Sequence, residues 1–251
     1  MRSAFASQGR SRALFPTTRC SLLFGGRNWD KQHSVPEVFG QLYQIYWTPI
    51  LSFICRQGYS SDEAQDLAQD FLLRMIDGDL LTAADPKRGR FRCLLLKSLK
   101  NFLLDVDKKR RRFKRGGDLH FVAWDDYASD PLRKTDSTEP YSAETVFDVR
   151  WAASVVEEAL RRLREECEGQ GHRQFFEVLS RYLDAERQDI SYQRLSVALG
   201  VPETSVKGLM HEFRTRFRAL LREEVGKTVE TQTELEDEIR YLCSVLASVA
   251  A

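Results

Sequence analysis

The stretch SYQRLSVALGVPETSVKGLMHEFRTRFR, residues 191–218, decides the fold class. It reads as two short helices joined by a glycine turn. In the first, Tyr192, Leu195 and Leu199 recur at three- and four-residue spacing, and Gly200 supplies the left-handed conformation that turns the chain sharply. Pro202 follows, where a helix can start but not continue. In the second, Val206, Leu209, Met210, Phe213, Phe217 and Leu220 share one face, and Thr204, Ser205, Lys207, Gly208, His211, Arg214 and Arg218 share the other. The second face is short, hydrogen-bonding and cationic. It suits a major groove, with side chains near the helix start reading base edges and arginines further along meeting phosphates. The pattern is therefore that of a helix-turn-helix, although a plain helical hairpin with a solvated basic face would give the same spacing.

Working outward, the rest of the chain adds helices and segregated charge. With 251 residues and 42% hydrophobic content it can bury a core and is long enough for two small domains. A net charge of +1 hides blocks of opposite sign, a pattern that points to a polyanion partner better than the total does. Residues 105–115 carry Lys108, Lys109, Arg110, Arg111, Arg112, Lys114 and Arg115 against Asp105 and Asp107. Residues 118–148 carry Asp118, Asp125, Asp126, Asp130, Asp136, Glu139, Glu144 and Asp148 against Arg133 and Lys134. Residues 1–36 are basic and 223–240 acidic.

No stretch approaches the roughly 20 apolar residues that span a bilayer. The N-terminus lacks the continuous apolar core of a secretory signal, so the cytoplasm is the expected compartment. Cys20, Cys55, Cys93, Cys167 and Cys243 include no CxxC pair, and His33, His120, His172 and His211 stand at no ligand spacing beside them. Reduced thiols, and neither a metal site nor a cofactor, are the expectation.

Two helical blocks are separated by a linker. In the first, Phe39, Leu42, Tyr43, Tyr46, Trp47, Ile50, Leu51 and Ile54 hold a helical stripe, and Pro49 inside it must kink or restart the helix. Ser60 and Ser61 then offer N-caps, Asp62 and Glu63 fill a first turn, and Ala64, Leu67, Ala68, Phe71, Leu72, Met75 and Ile76 form the next stripe. Phe91, Leu95, Leu99, Phe102 and Val106 form a third that runs into the basic cluster. Residues 116–143, with Gly116-Gly117, Pro131, Pro140 and many acids, read as an acidic flexible linker. A second block spans 144–225, from Trp151, Val155, Ala159 and Leu163 through Phe175, Phe176, Leu179 and Tyr182 to the helix-turn-helix. Residues 226–251 form an amphipathic extension around Leu235, Ile239, Leu242, Cys243 and Leu246. The sequence thus predicts an all-α protein of two small helical domains, 37–115 and 144–225, flanked by a basic N-terminal extension at 1–36.

Exposed faces carry the chemistry. Opposite the stripe of the second helix lie Asp66, Gln69, Asp70, Leu73 and Arg74, an apolar centre with a charged rim that fits a partner protein. The same pattern fits a solvated face. On the third helix Lys97, Lys100, Asn101, Lys108, Arg111, Arg112 and Arg115 line a basic side; between Lys97 and Arg115, a rise of about 1.5 Å per residue gives roughly 27 Å of potential phosphate contact. Seven cations in eight positions, interrupted by Phe113, repel one another unless a polyanion neutralises them.

The order of these parts resembles a known family. The run Ser61-Asp62-Glu63-Ala64-Gln65-Asp66-Leu67-Ala68-Gln69-Asp70-Phe71, then Phe91-Arg92 opening a helix that ends in a basic cluster, an acidic linker and a terminal helix-turn-helix, is similar to the extracytoplasmic-function (ECF) class of bacterial RNA polymerase sigma factors. The resemblance covers roughly residues 37–225. It implies that the Asp66 to Arg74 helix docks on the coiled-coil clamp helices of the polymerase's large subunit. It implies that the Lys97 to Arg115 helix, with the loop Asp85-Pro86-Lys87-Arg88-Gly89-Arg90, captures and melts the minus-ten promoter element. The helix-turn-helix would read the minus-thirty-five element, and the linker would thread the nucleic-acid channel. Phe15-Pro16-Thr17-Thr18-Arg19 resembles a lead-in of one subset, with Cys20 where a tryptophan often stands.

Two departures fall in the recognition helix: Leu209 and Glu212 stand where relatives commonly place arginines. The resemblance implies a transcription initiation factor with no catalytic residues, partnered by core RNA polymerase and promoter DNA, with no membrane association. Whether an anti-sigma protein, a kinase or the terminal extensions restrain it stays open. The alternatives are a stand-alone helix-turn-helix regulator, and a helical nuclease or nucleotidyl-transferring enzyme with a magnesium site at Asp62, Glu63, Asp66 and Asp70. The C-terminal extension is either a restraint that places acid near the basic face or a plain capping helix.

Overall fold

The computed structural model describes residues 35–76, 90–114, 141–229 and 231–250, with residues 35–39, 41, 76, 111–114, 187 and 250 described by their backbone alone. Every regular element among them is helical: α1 Val35–Arg56, α2 Ser61–Ile76, α3 Phe91–Lys114, α4 Ala143–Gly169, α5 Arg173–Leu179, α6 Tyr192–Leu199, α7 Glu203–Gly226 and α8 Gln232–Ala250, with 3₁₀ turns at Ser180–Tyr182 and Arg187–Asp189. None of these helices is long and apolar enough to cross a membrane. The segment Phe15 to Arg19, the loop residues Asp85 to Gly89, Arg115 and most of the acidic linker lie outside the described residues, as do the side chains of Arg111 and Arg112.

The chain divides into two compact units. One runs from Tyr46 to Trp151; the other takes residues 35–45 and everything from Ala152 onward.

In the unit beginning at Tyr46, α1 continues through Pro49 without ending, so of the two outcomes read from sequence a restart does not occur. Its end is set by Gly58, whose φ of 93° belongs to the left-handed region that glycine tolerates. Ser60 and Glu63 then form a reciprocal capping box: the Glu63 amide donates to the Ser60 hydroxyl at 3.4 Å and the Ser60 amide to Glu63 Oε2 at 3.2 Å. Ile50, Phe53, Ile54, Ala64, Ala68, Phe71, Leu72, Leu95, Leu99 and Phe102 are buried together in this unit's core. Edge-on aromatic pairs, Tyr46 with Phe91 at 5.3 Å and Phe53 with Phe147 at 6.3 Å, tie α1 to the starts of α3 and α4.

The second pair marks a difference from the sequence reading. The sequence pattern alone places residues 141–151 in the linker and the second block; in the structure they pack in the unit that begins at Tyr46. Ser142 caps α4 through the Thr145 amide at 3.1 Å, Glu144 meets Lys100 at 2.7 Å, and Asp148 pairs with the buried guanidinium of Arg92, which lies 4.9 Å over the Trp151 ring. A periodicity of 3.6 records that Phe147, Trp151 and Val155 share a face of one helix. It carries no mark of where that face changes partners.

In the other unit, Ala159, Leu163, Cys167, Phe176, Leu179, Ile190, Leu195, Leu199, Val206, Met210, Phe213 and Leu220 form one cluster. α4 ends where Gly171, φ 74°, turns the chain and the His172 amide reaches back to the Cys167 carbonyl at 2.7 Å. Gly200, φ 65°, closes α6, and the Ser196 hydroxyl donates to the Val201 carbonyl at 2.6 Å, fixing the turn into α7 at Pro202. Thr231 and Glu234 form a second capping box that opens α8. This helix buries Leu242, Val245 and the carboxylate of Glu238.

Candidate nucleic-acid interface

Helix α7 sorts its cations into two groups. Thr204, Ser205, Lys207, Gly208, His211 and Arg218 are all exposed, and none of their side chains makes a hydrogen bond or ion pair with a described residue. The line Thr204, Gly208, His211, Thr215, Arg218 advances by three and four residues, so it runs straight along the helix. On α6, Arg194 is exposed, and Val197 is 81% exposed and stands off the Tyr192, Leu195, Leu199 stripe.

The remaining arginines of α7 serve the unit itself. Arg214, assigned from sequence to the groove-facing set, is turned inward: its Nη2 donates to the carbonyl oxygens of Tyr182 and Ala185 at 2.6 and 2.5 Å. Arg214 sits where the exposed stripe meets the core side, and its length lets it reach the 3₁₀ loop. Arg216 makes a bidentate pair with Glu166 at 2.7 and 2.5 Å; those bonds, against a smaller opposing effect of burial, hold its pKa above the ordinary arginine value. Arg162 of α4 bridges Glu223 at 2.6 Å and Glu224 at 2.5 Å. Glu212 shares the side of Arg216 one turn earlier, with one carboxylate oxygen shielded from water, and Leu209 is half-buried. Neither departure stands on the exposed line.

On α3, Lys97 and Asn101 are exposed, and Lys97 carries no ion pair with a described residue. Lys100 is committed to Glu144, and Lys108 contacts Asp105 of its own helix at 3.1 Å. Leu104, missed by the sequence reading, falls in the Lys97, Asn101, Lys108 line and is 57% exposed. Its spacing from Lys97 and Lys108 was the available signal. Arg110 reaches across to Glu63 at 3.0 Å while its guanidinium lies 5.0 Å over the Tyr59 ring, and the Tyr59 hydroxyl donates to Asp107 at 2.8 Å. A cleft of about 490 Å³ opens here, lined by Phe53, Tyr59, Glu63, Lys100, Leu104 and Arg110 among others. Its lysine and arginine are already neutralised by its own acids.

On α2, Asp66 and Gln69 are exposed beside Leu73, which is 58% exposed. Asp70 and Arg74 grip each other one turn apart, at 2.9 and 3.2 Å, with the Arg74 guanidinium 4.9 Å over Phe102. The apolar centre is thus open, and its rim is partly closed on itself. Among the acids weighed for magnesium, Glu63 is held by the Ser60 hydroxyl and Arg110, and Asp70 by Arg74. Among the described residues no three histidine, cysteine or acidic side chains stand where they could hold a metal ion.

No protein-family model, curated protein or solved structure matches this chain.

Proposed function

We propose that this chain is a transcription initiation factor of the ECF sigma class, which binds bacterial core RNA polymerase and directs it to promoter DNA. The observation that carries the reading is the partition of basic residues along α7, where Arg214 and Arg216 are bound within the unit while Lys207, His211 and Arg218 are exposed with no partner among the described residues. Unpaired cations and hydroxyls on a single helix face are what a polyanion with readable base edges requires. In this reading α6 and α7 act as the helix-turn-helix of the upstream promoter element. Lys97, Asn101 and the basic end of α3 contact the downstream element. Leu73, with Asp66 and Gln69 around it, docks on the polymerase, and the chain has no reaction of its own.

The test is transcription from a promoter library by purified bacterial core polymerase with and without the chain. Start sites that appear only with the chain, together with loss of co-purification in the Asp66→Arg, Leu73→Glu double variant, support the reading. Undiminished co-purification of that variant removes the docking assignment. A palindromic footprint by a dimer, with no effect on core polymerase, would make the chain a stand-alone regulator instead.

A further inference from the structure

Gly208 stands in the middle of the exposed line on α7. An interior helical glycine costs about 1 kcal/mol relative to alanine, because it surrenders more backbone freedom on folding. Left-handed backbone offsets that cost at Gly58, Gly171 and Gly200, each of which ends a helix. Gly208 has ordinary helical backbone, and a Cβ built on it meets no heavy atom within 4 Å. No described residue uses the space above it. The side chains around that space, Thr204, Lys207 and His211, are hydrogen-bonding groups without partners among the described residues.

From these observations we infer that Gly208 is a specificity-determining position: its missing side chain admits a base edge in the major groove of duplex DNA against the helix backbone, with Lys207, Thr204 and His211 as flanking donors. This rests on the reading of α7 as the groove-entering helix. A helix with side chains measures about 10–12 Å across and the major groove is about 12 Å wide, so a single methyl on the inward line decides how deep the helix sits. Alanine there would improve the helix and worsen the fit.

The test uses the full chain mixed with bacterial core RNA polymerase to select duplexes from a randomised pool, followed by affinity and melting measurements on variants. Gly208→Ala should melt about 2–4 °C higher and bind the selected duplex roughly tenfold more weakly, with Gly208→Leu weaker still. Gly40→Ala, at another exposed helical glycine with open space around it, should raise melting and leave duplex affinity unchanged. Wild-type affinity in Gly208→Ala, or a lowered melting temperature, overturns the inference while Lys207→Ala still weakens binding. If no duplex is enriched, or Lys207→Ala binds as tightly as wild type, the reading of α7 fails and the inference with it.

Discussion

Nη2 of Arg214 donates to the carbonyl oxygen of Tyr182 at 2.6 Å, joining α7 to the 3₁₀ turn that follows α5. With the second bond to Ala185, one cation satisfies two carbonyls of a loop that has few backbone partners of its own.

Arg214→Ala should therefore lower stability by about 1.5–3 kcal/mol, the range for hydrogen bonds to a charged group, and leave the salt dependence of DNA binding unchanged. Arg218→Ala, one turn further along the exposed line, should do the opposite. Its stability should stay within about 0.5 kcal/mol of wild type, and the slope of log affinity against log salt should fall by close to one unit. Urea denaturation and titration at several salt concentrations separate the two; equal slopes would leave Arg218 as a solvated side chain.

The pair of Arg92 with Asp148 carries the second prediction. Arg92 is only 5% exposed, so removing Asp148 takes a carboxylate away from a buried guanidinium. Asp148→Ala should destabilise the unit by about 3 kcal/mol, and replacing Arg92 by Met in the same chain should restore much of the loss. A fragment of residues 35–151 should melt higher than one of residues 35–140. Equal melting of the two fragments would show that Tyr141 to Trp151 contributes nothing to this unit.

Helix existence was legible in the sequence because burial repeats every 3.6 residues: Ala64, Ala68, Phe71, Leu72 and Met75 were picked from spacing and are all buried. The Gly200 turn was legible because few residues other than glycine tolerate a φ of 65°. Arg214 and Lys100 were not, since a cation on a surface stripe looks the same whether it meets solvent, a carbonyl or a carboxylate 44 residues away in the chain, as Lys100 and Glu144 do. Phe53 and Ile45 were missed because they sit between the positions of the stripe chosen for α1, and both are buried.

Tyr59 supplies a prediction in pH. Burial first, and then its hydrogen bond to Asp107, push the phenol from the ordinary 10.0 up to about 12. A folded-state pKa above the unfolded one means that the stabilisation is complete below pH 10 and lost as pH rises toward 12. Wild type should exceed Tyr59→Phe in stability by about 1 kcal/mol at pH 7, and the gap should shrink between pH 10 and 12. A gap that stays constant over that range would disconnect the phenol from the fold.

The C-terminal helix α8 brings the last prediction, because it is both packed and charged. Leu242 and Val245 bury apolar surface worth roughly 1.5–3 kcal/mol each, so a chain ending after Lys227 should melt several degrees lower. Part of that charge acts on α7. Arg222 follows Arg218 by one turn on α7, and Glu236 of α8 binds it, a bond that holds the Glu236 carboxyl below the ordinary range. Glu236→Gln should leave melting nearly unchanged, since exposed ion pairs contribute about 0–1 kcal/mol. It frees Arg222 to extend the cationic line, which should tighten duplex binding at low salt and add close to one unit to the salt slope. An unchanged slope in Glu236→Gln would reduce α8 to a capping helix, whereas a steeper slope at constant melting temperature identifies Glu236 as a restraint on DNA binding.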